Sequence, residues 1–149
     1  MSIEMTTEFK QALELLNGGK NLFLTGKAGT GKSTLINEFR NTTTRNIVVT
    51  APTGVAALNV HGYTIHRLFS FPSHVTVEGI RSADIRPGRF ASVLKELDTL
   101  IIDEVSMVRA DLFDCIVATL EMYGPRPHTP YGGVQLVLVG DLYQLPPVV

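Results

Sequence analysis

Cysteine is almost missing from this 149-residue sequence, and the single thiol, Cys115, excludes an internal disulfide and fits a reducing compartment. Cys115 itself reads as a small buried apolar residue in a helix. An excess of charge of either sign is also missing. Thirteen Lys and Arg against fourteen Asp and Glu leave a formal net charge of -1, so no global field draws in a polyanion and any such binding must come from a local patch. Long apolar runs are absent too, and none approaches the roughly 20 residues needed to cross a bilayer. The opening MSIEMTTEFK has neither an apolar stretch nor a basic flank, so no secretory signal is expected. There is no internal repeat and no low-complexity tract. What is present, 44% hydrophobic and 18% charged residues, suffices for a folded core. The expectation is one soluble, cytoplasmic domain over 1–149 without a membrane partner.

Four short apolar runs stand out: Asn21–Thr25 (NLFLT), Asn46–Thr50 (NIVVT), Thr99–Ile102 (TLII) and Gln135–Val139 (QLVLV). Each is nearly continuous rather than alternating, which suits strands of a parallel sheet buried on both faces. Helical patterns lie between them. Phe9, Leu13 and Leu16 share a face that ends at Gly18-Gly19, and Thr34–Phe39 forms the next. Val55–Leu58 and Ile65–Phe69 read as short helical turns. Phe90, Val93, Leu94 and Leu97 make one stripe, and Leu112, Ile116, Leu120 and Tyr123 make the longest. Strands alternating with helices predict right-handed crossovers and an α/β sheet. Pro72–Gly88 has little periodicity, and Gly124–Gly133 (GPRPHTPYGG) reads as a loop.

Chemistry concentrates at the ends of the apolar runs. Gly26-x-x-x-x-Gly31-Lys32-Ser33 (GKAGTGKS) matches a phosphate-binding loop, whose glycines let backbone N–H groups converge on one anion at a helix N-terminus. A chance match in a chain of this length is about one in a few hundred at average glycine usage. Gly26, Lys27, Ala28, Gly29, Thr30, Gly31, Lys32, Ser33 and Thr34 are therefore expected to bind nucleotide. Lys32 would reach the β- and γ-phosphates, and the Ser33 hydroxyl would ligate Mg²⁺. In TLIIDE, Asp103 is placed to hold Mg²⁺ and Glu104 to polarise a water against the γ-phosphate. No Asn-Lys-x-Asp signature occurs, which favours ATP over GTP. In GDLYQLPP, the Gln144 amide reads equally as a sensor of the γ-phosphate or as a surface residue in a proline-limited turn. APTGVAA opens a second helix with Pro52-Thr53-Gly54, a further N-terminus able to meet phosphate. His66, Arg67 and Phe69 of GYTIHRLF offer charge and a ring to single-stranded DNA, although packing residues on a short helix are the plainer reading of His66 and Phe69. Arg81, Arg86 and Arg89 read as a solvated loop.

Taken in order, GKAGTGKS, APTGVAA, GYTIHRLF, IIDEVSM and GDLYQLPPV resemble the first five motifs of the Pif-one/RecD-like family of superfamily-one DNA helicases, from Asn21 onward. The resemblance implies a P-loop NTPase fold: a RecA-like three-layer sandwich with a mostly parallel sheet. It implies ATP and Mg²⁺ as cofactors and single-stranded DNA as partner. It implies roles for Lys32 and Ser33 on phosphate and Mg²⁺, Asp103 on the metal, Glu104 as base and Gln144 as γ-phosphate sensor. Pro52, Thr53 and Gly54 resemble a backbone grip on DNA, and Thr64 and His66 fall in the next DNA-contacting motif. Members of the family move 5′ to 3′ with two RecA-like lobes, which in a bacterial source would place the protein at the nucleoid.

Two departures from the family pattern stand out. The adenine-reading glutamine expected upstream has no clear counterpart: Gln11 sits in the apolar helix pattern and the register falls nearer Glu8. The later motifs, with arginines that reach the γ-phosphate from a second lobe, do not occur before Val149. By the resemblance the sheet is therefore incomplete at its C-terminus, lacking a fifth strand beside that of the glycine loop, which leaves an open edge. The expectation is an ATPase lobe with slow or no turnover by itself, its second lobe supplied by another chain if at all. The alternatives are a non-catalytic nucleotide- or DNA-binding remnant that acts with a partner chain, and a different P-loop ATPase, against which APTGVAA and GDLYQLPP argue.

Overall fold

A computed structural model of the chain describes residues 7–25 and 32–140. Helix α1 (Thr7–Asn17) turns its Phe9, Leu13 and Leu16 stripe inward and stops at Gly18-Gly19, where Gly19 takes φ 81° and the amides of Gly19 and Lys20 return to the carbonyls of Leu16 and Leu15. This is the left-handed stop that glycine supplies without steric strain. Strand β1 (Leu22–Thr25) follows, then α2 (Lys32–Thr42), β2 (Ile47–Ala51), α3 (Gly54–Asn59), the two-residue β3 (Tyr63–Thr64) and α4 (Ile65–Phe69). Helices α5 (Val77–Arg81) and α6 (Ala91–Lys95) precede β4 (Thr99–Ile102), and α7 (Ala110–Tyr123) precedes β5 (Gln135–Gly140).

The five strands form one sheet in the order β1-β5-β4-β2-β3, every pairing parallel. Alternate residues serve two cores, as the period of two requires. Val49, Ile101, Val137 and Val139 face α1 and α2 with Leu16, Leu35, Ile36 and Phe39. Leu100, Ile102 and Leu136 face the other side, with Ile65, Leu68, Phe69, Ile80, Leu94, Ile116 and Leu120 from α4 to α7. The result is the expected helix–sheet–helix sandwich, and the continuous apolar runs are explained by burial on both faces.

Three details differ from the sequence reading. Four strands are legible as apolar runs, yet the sheet has five, because β3 adds an edge through Thr50↔Tyr63 and Ala51↔Thr64. The sheet is wholly rather than mostly parallel among the described residues. The stretch Pro72–Gly88 contains α5, whose N-cap Thr76 accepts from Gly79 N at 3.0 Å. Among the described residues β1 pairs only with β5, and Phe23 is 54% exposed despite its apolar run.

Candidate nucleotide site and its neighbouring surface

Because all strands are parallel, their carboxyl ends lie along one side of the sheet. Thr25 aligns with Gly140, and Ile102 aligns with Thr50 and Leu138. The segments that carry the chemistry leave from these ends, where ligands of open α/β sheets bind. Helix α2 starts at Lys32, whose Nζ donates to the Gly140 carbonyl at 3.1 Å, tying the helix after the glycine loop to the end of β5. Ser33 is exposed and Thr34 half-buried on its first turn. Gly140 allows a close approach here, since a Cβ would lie 3.0 Å from Val105 Cγ1.

Asp103 sits one residue beyond β4, fixed by its N–H donating to Thr50 O at 2.8 Å. Burial pushes its carboxyl above the ordinary carboxylate range, and the Glu104 charge adds to this; the backbone hydrogen bond at Glu104 and the Lys32 charge pull the other way. A carboxylate partly stripped of water and near a lysine suits a cation that completes its neutralisation. Glu104 takes φ 53°, ψ 41°, the left-handed region that costs a non-glycine residue about 1–3 kcal/mol and that clusters at functional sites. The described donors here, the Ser33 hydroxyl and the Asp103 carboxylate, are hard oxygens. Among the described residues no group of three or more His, Cys, Asp or Glu is arranged to hold a metal. Hard oxygens of this kind suit Mg²⁺, which takes one or two protein oxygens with phosphates and water. The predicted loop positions 26 to 31, and Gln144, lie outside the described residues.

A second surface leaves the same side of the sheet at β2 and β3. Thr53 caps α3, its hydroxyl accepting from Ala56 N at 3.2 Å, and Thr64 caps α4, accepting from Arg67 N at 3.2 Å. Gly54 is exposed, and a Cβ there would meet nothing within 4 Å. Among the described residues, then, no close neighbour demands glycine at 54. Pro52 and His66 are half-buried, and the His66 ring stands edge-on to Phe71 at 6.2 Å. Phe69 cannot be a stacking ring for DNA: it is 0% exposed and lies against Phe71, ring centroids 5.2 Å apart. Among the described residues, an aromatic pair that does reach solvent is Tyr63 with Phe90, centroids 4.8 Å apart, with the Arg89 guanidinium 5.8 Å from the Phe90 ring. Arg81 and Arg86 are exposed, as is Gln11 on the outer face of α1; Glu8 lies in α1, its side chain outside the described residues. Cys115 is buried, as expected.

Comparison with known proteins settles the ancestry of this arrangement. The sequence model of the PIF1-like helicase family matches residues 3–149. The chain belongs to the PIF1-like helicase family. It is 37% identical to the ATP-dependent DNA helicase Pif1 of Bdellovibrio bacteriovorus over 151 residues, covering 98% of this chain and 34% of that protein. A crystal structure of a Bacteroides Pif1 helicase double mutant superposes with a TM-score of 0.88 at 37% identity, over 99% of this chain and 34% of the other. The Bacteroides Pif1 helicase in complex with ADP-AlF3 and ssDNA gives a TM-score of 0.83 at 36% identity, over 99% and 34%. The chain thus spans about a third of the length of these relatives. In the Pif1-like fold the expected α/β, RecA-like architecture is observed.

Sequence reasoning missed two arginines that organise the lobe. Arg40 of α2 donates to the Val60 and His61 carbonyls, and Arg45 donates to the Leu16 and Asn17 carbonyls at the end of α1. A basic residue in the last turn of a helix is a signal for carbonyl contacts. For Arg40 those carbonyls belong to a different helix, which no spacing reveals.

Proposed function

We propose that these residues form the Mg-ATP-binding and hydrolysing lobe of an ATP-dependent DNA helicase that moves 5′ to 3′ on single-stranded DNA. The observation that carries this reading is the meeting of Lys32, Asp103 and Glu104 at the carboxyl edge of one parallel sheet, with Lys32 Nζ already on the Gly140 carbonyl. The glycine loop 26 to 31 would cradle the phosphates with its amides, and Lys32 would move from Gly140 O to the β- and γ-oxygens. Ser33 and Asp103 would hold Mg²⁺, which when bound neutralises charge on the phosphates. Glu104 orients and deprotonates the attacking water, and Gln144 senses the γ-phosphate. Pro52, Thr53, Gly54, Thr64 and His66 present backbone and hydroxyl groups to the strand of DNA, on the surface adjoining the nucleotide end of the sheet.

A relative's complex with ADP-AlF3 and ssDNA supports both ligands on one protein of this fold. These 149 residues by themselves are expected to bind Mg-ATP with slow or no turnover. An arginine reaching the γ-phosphate from a second lobe contributes about 10³–10⁵ to phosphoryl transfer, and unwinding requires one lobe to move against another. The test is nucleotide binding and steady-state ATP hydrolysis with Mg²⁺, with and without single-stranded DNA, beside Lys32→Ala. Binding that disappears in Lys32→Ala, with turnover that is slow or absent, is expected. Nucleotide binding that survives Lys32→Ala sinks the reading of the site. Fast, DNA-stimulated turnover by these residues alone refutes the need for a second lobe.

A further inference from the structure

We propose that Arg40 is a positioning residue that couples the nucleotide end of α2 to the DNA-facing helices, through its hold on the carbonyls of Val60 and His61; the inference rests on the functional reading above. Helix α2 is one continuous element from Lys32 to Thr42, so Ser33 at its phosphate end and Arg40 lie about 10 Å apart along one rod. Arg40 Nη1 donates to Val60 O at 2.8 Å and Nη2 to His61 O at 3.4 Å. These carbonyls form the turn that ends α3, whose N-terminus is capped by Thr53.

The turn is built to transmit a displacement rather than absorb it. His61 takes φ 51° at the left-handed position, its N–H returns to Leu58 O, and Gly62 N returns to Ala57 O at 2.8 Å. Gly62 is pressed on β2, since a Cβ there would lie 2.2 Å from Val49 O. The same turn runs directly into Tyr63-Thr64, and Thr64 caps α4. One arginine therefore grips the short connection between the two threonine caps that the functional reading places against DNA.

Helix α3 packs on β2 and β3 through a narrow face. Of its residues only Ala57 is buried, while Val55 and Leu58 are 74% and 75% exposed. Its own last turn carries no basic residue. The cation that meets its C-terminal carbonyls is supplied by the helix that starts at the phosphate site, and charge-assisted bonds of this kind are stronger than neutral ones. A shift of α2 when nucleotide binds then changes the presentation of Thr53, Gly54 and Thr64, and by linkage DNA binding must act back on nucleotide affinity to the same extent.

The test uses the full-length protein and two variants. Arg40→Met keeps the apolar stem and removes both donors, and Arg40→Lys keeps charge but loses the two-pronged grip. The readout is the ratio of single-stranded DNA Kd without and with a non-hydrolysable ATP analogue and Mg²⁺, measured by anisotropy, with the reciprocal ratio for nucleotide. Wild type is expected to show a ratio in the usual range of coupled sites, about 5–150-fold. Arg40→Met brings it to within about 2-fold of unity at unchanged nucleotide affinity in the absence of DNA, and Arg40→Lys falls between. A mere structural cap would lower the unfolding midpoint, and DNA affinity in both states alike, but leave the ratio intact; that result overturns the proposal. If Arg40→Met does not fold, Arg40→Lys decides, a wild-type ratio again overturning it. A wild type that binds neither ligand overturns the functional reading, and the coupling role falls with it. A wild type that binds both ligands with a ratio near unity overturns the coupling role alone.

Discussion

Gln135 offers the sharpest test of how the lobe is held together at the end of the sheet away from the nucleotide. Its side-chain amide, on a residue 6% exposed, makes four hydrogen bonds: Oε1 accepts from Thr99 Oγ1 at 2.7 Å and Arg45 Nη1 at 3.3 Å, and Nε2 donates to Leu16 O at 3.1 Å and Lys20 O at 2.7 Å. It thereby joins β5 to β4, to the end of α1 and to the arginine that grips α1. Gln135→Met keeps the length of the side chain and deletes the amide. The consequences are unequal. Leu16 O retains Arg45 at 2.8 Å, and Lys20 is exposed, so water can replace its bond. The Thr99 hydroxyl, at 0% exposure, is left with no partner. With a typical net bond worth about 1 kcal/mol and an orphaned buried hydroxyl costing about 1–3 kcal/mol, the loss should be roughly 2–4 kcal/mol. In a domain of this size that lowers the midpoint of thermal unfolding by roughly 5–15 °C. Urea or thermal denaturation followed by circular dichroism measures it. The companion double variant with Thr99→Val removes the orphan, so the two substitutions together should cost at least about 1 kcal/mol less than their sum. Nucleotide affinity should stay within about 2-fold, because the site lies roughly 16 Å away at the far end of β5. A single variant within about 0.5 kcal/mol of wild type, or an additive cycle, refutes the argument.

Two further outcomes follow from the packing of α7. Gly132 takes φ 63°, and a Cβ there would lie 2.0 Å from Leu120 O, whereas at Gly133, φ 81°, the nearest atoms belong to the Arg126 side chain, at 3.1–3.2 Å. Both alanine variants bear the left-handed strain of about 1–2 kcal/mol, but only Gly132→Ala also forces helix backbone aside, so it should cost at least about twice as much in unfolding free energy. Equal costs for the two would refute the clash. Cys115 should resist a thiol reagent until the fold opens. Burial, then the charges of Asp111 and Asp114, raise its thiol above the ordinary thiol value. A raised acid holds its proton longer in the folded chain, so stability from this group is present below that value and declines as pH rises past it, where the unfolded thiol ionises first. Labelling at pH 8 should follow global unfolding and accelerate in urea, and rapid labelling of the native protein would contradict the burial.

How far the sequence foretells this lobe depends on what each element answers to. Strands β2, β4 and β5 are legible because each residue face meets one of two cores, and continuous apolar runs are the direct consequence. The same pattern misleads at β1, where Phe23 sits on an edge strand and remains exposed. Strand β3 has no pattern of its own, being two residues paired to Thr50 and Ala51 by tertiary context. Helix α5 is five residues long, so its start and stop signals, Thr76 and Ser82, outweigh any periodicity. In the candidate site, Lys32, Ser33, Asp103 and Glu104 stand out because the proposed phosphate and metal chemistry prescribes residue types at fixed offsets from strand ends. Phe69, beside His66 and Arg67, has the composition of a nucleic-acid contact, yet the plainer packing reading holds, because α4 packs it on the sheet. Arg40 and Arg45 are invisible because their partners are backbone carbonyls 20 to 29 positions away, and every residue has a carbonyl.

The same distinction explains how a chain of net charge -1 could carry the surface for a polyanion that is proposed above. Affinity built on Lys and Arg contacts to phosphate is a matter of count, and composition reports it. The surface at β2 and β3 is built instead from two threonine-capped helix starts and from Gly54, which leaves its backbone uncovered. Groups of this kind place donors at fixed positions without adding net charge, so they are silent in a charge tally and visible only as a motif or as geometry. Arg40, which is engaged there, reaches the carbonyls of the turn. On the functional reading proposed here, charge in this lobe sets the orientation of the DNA-facing backbone, and the backbone meets the DNA.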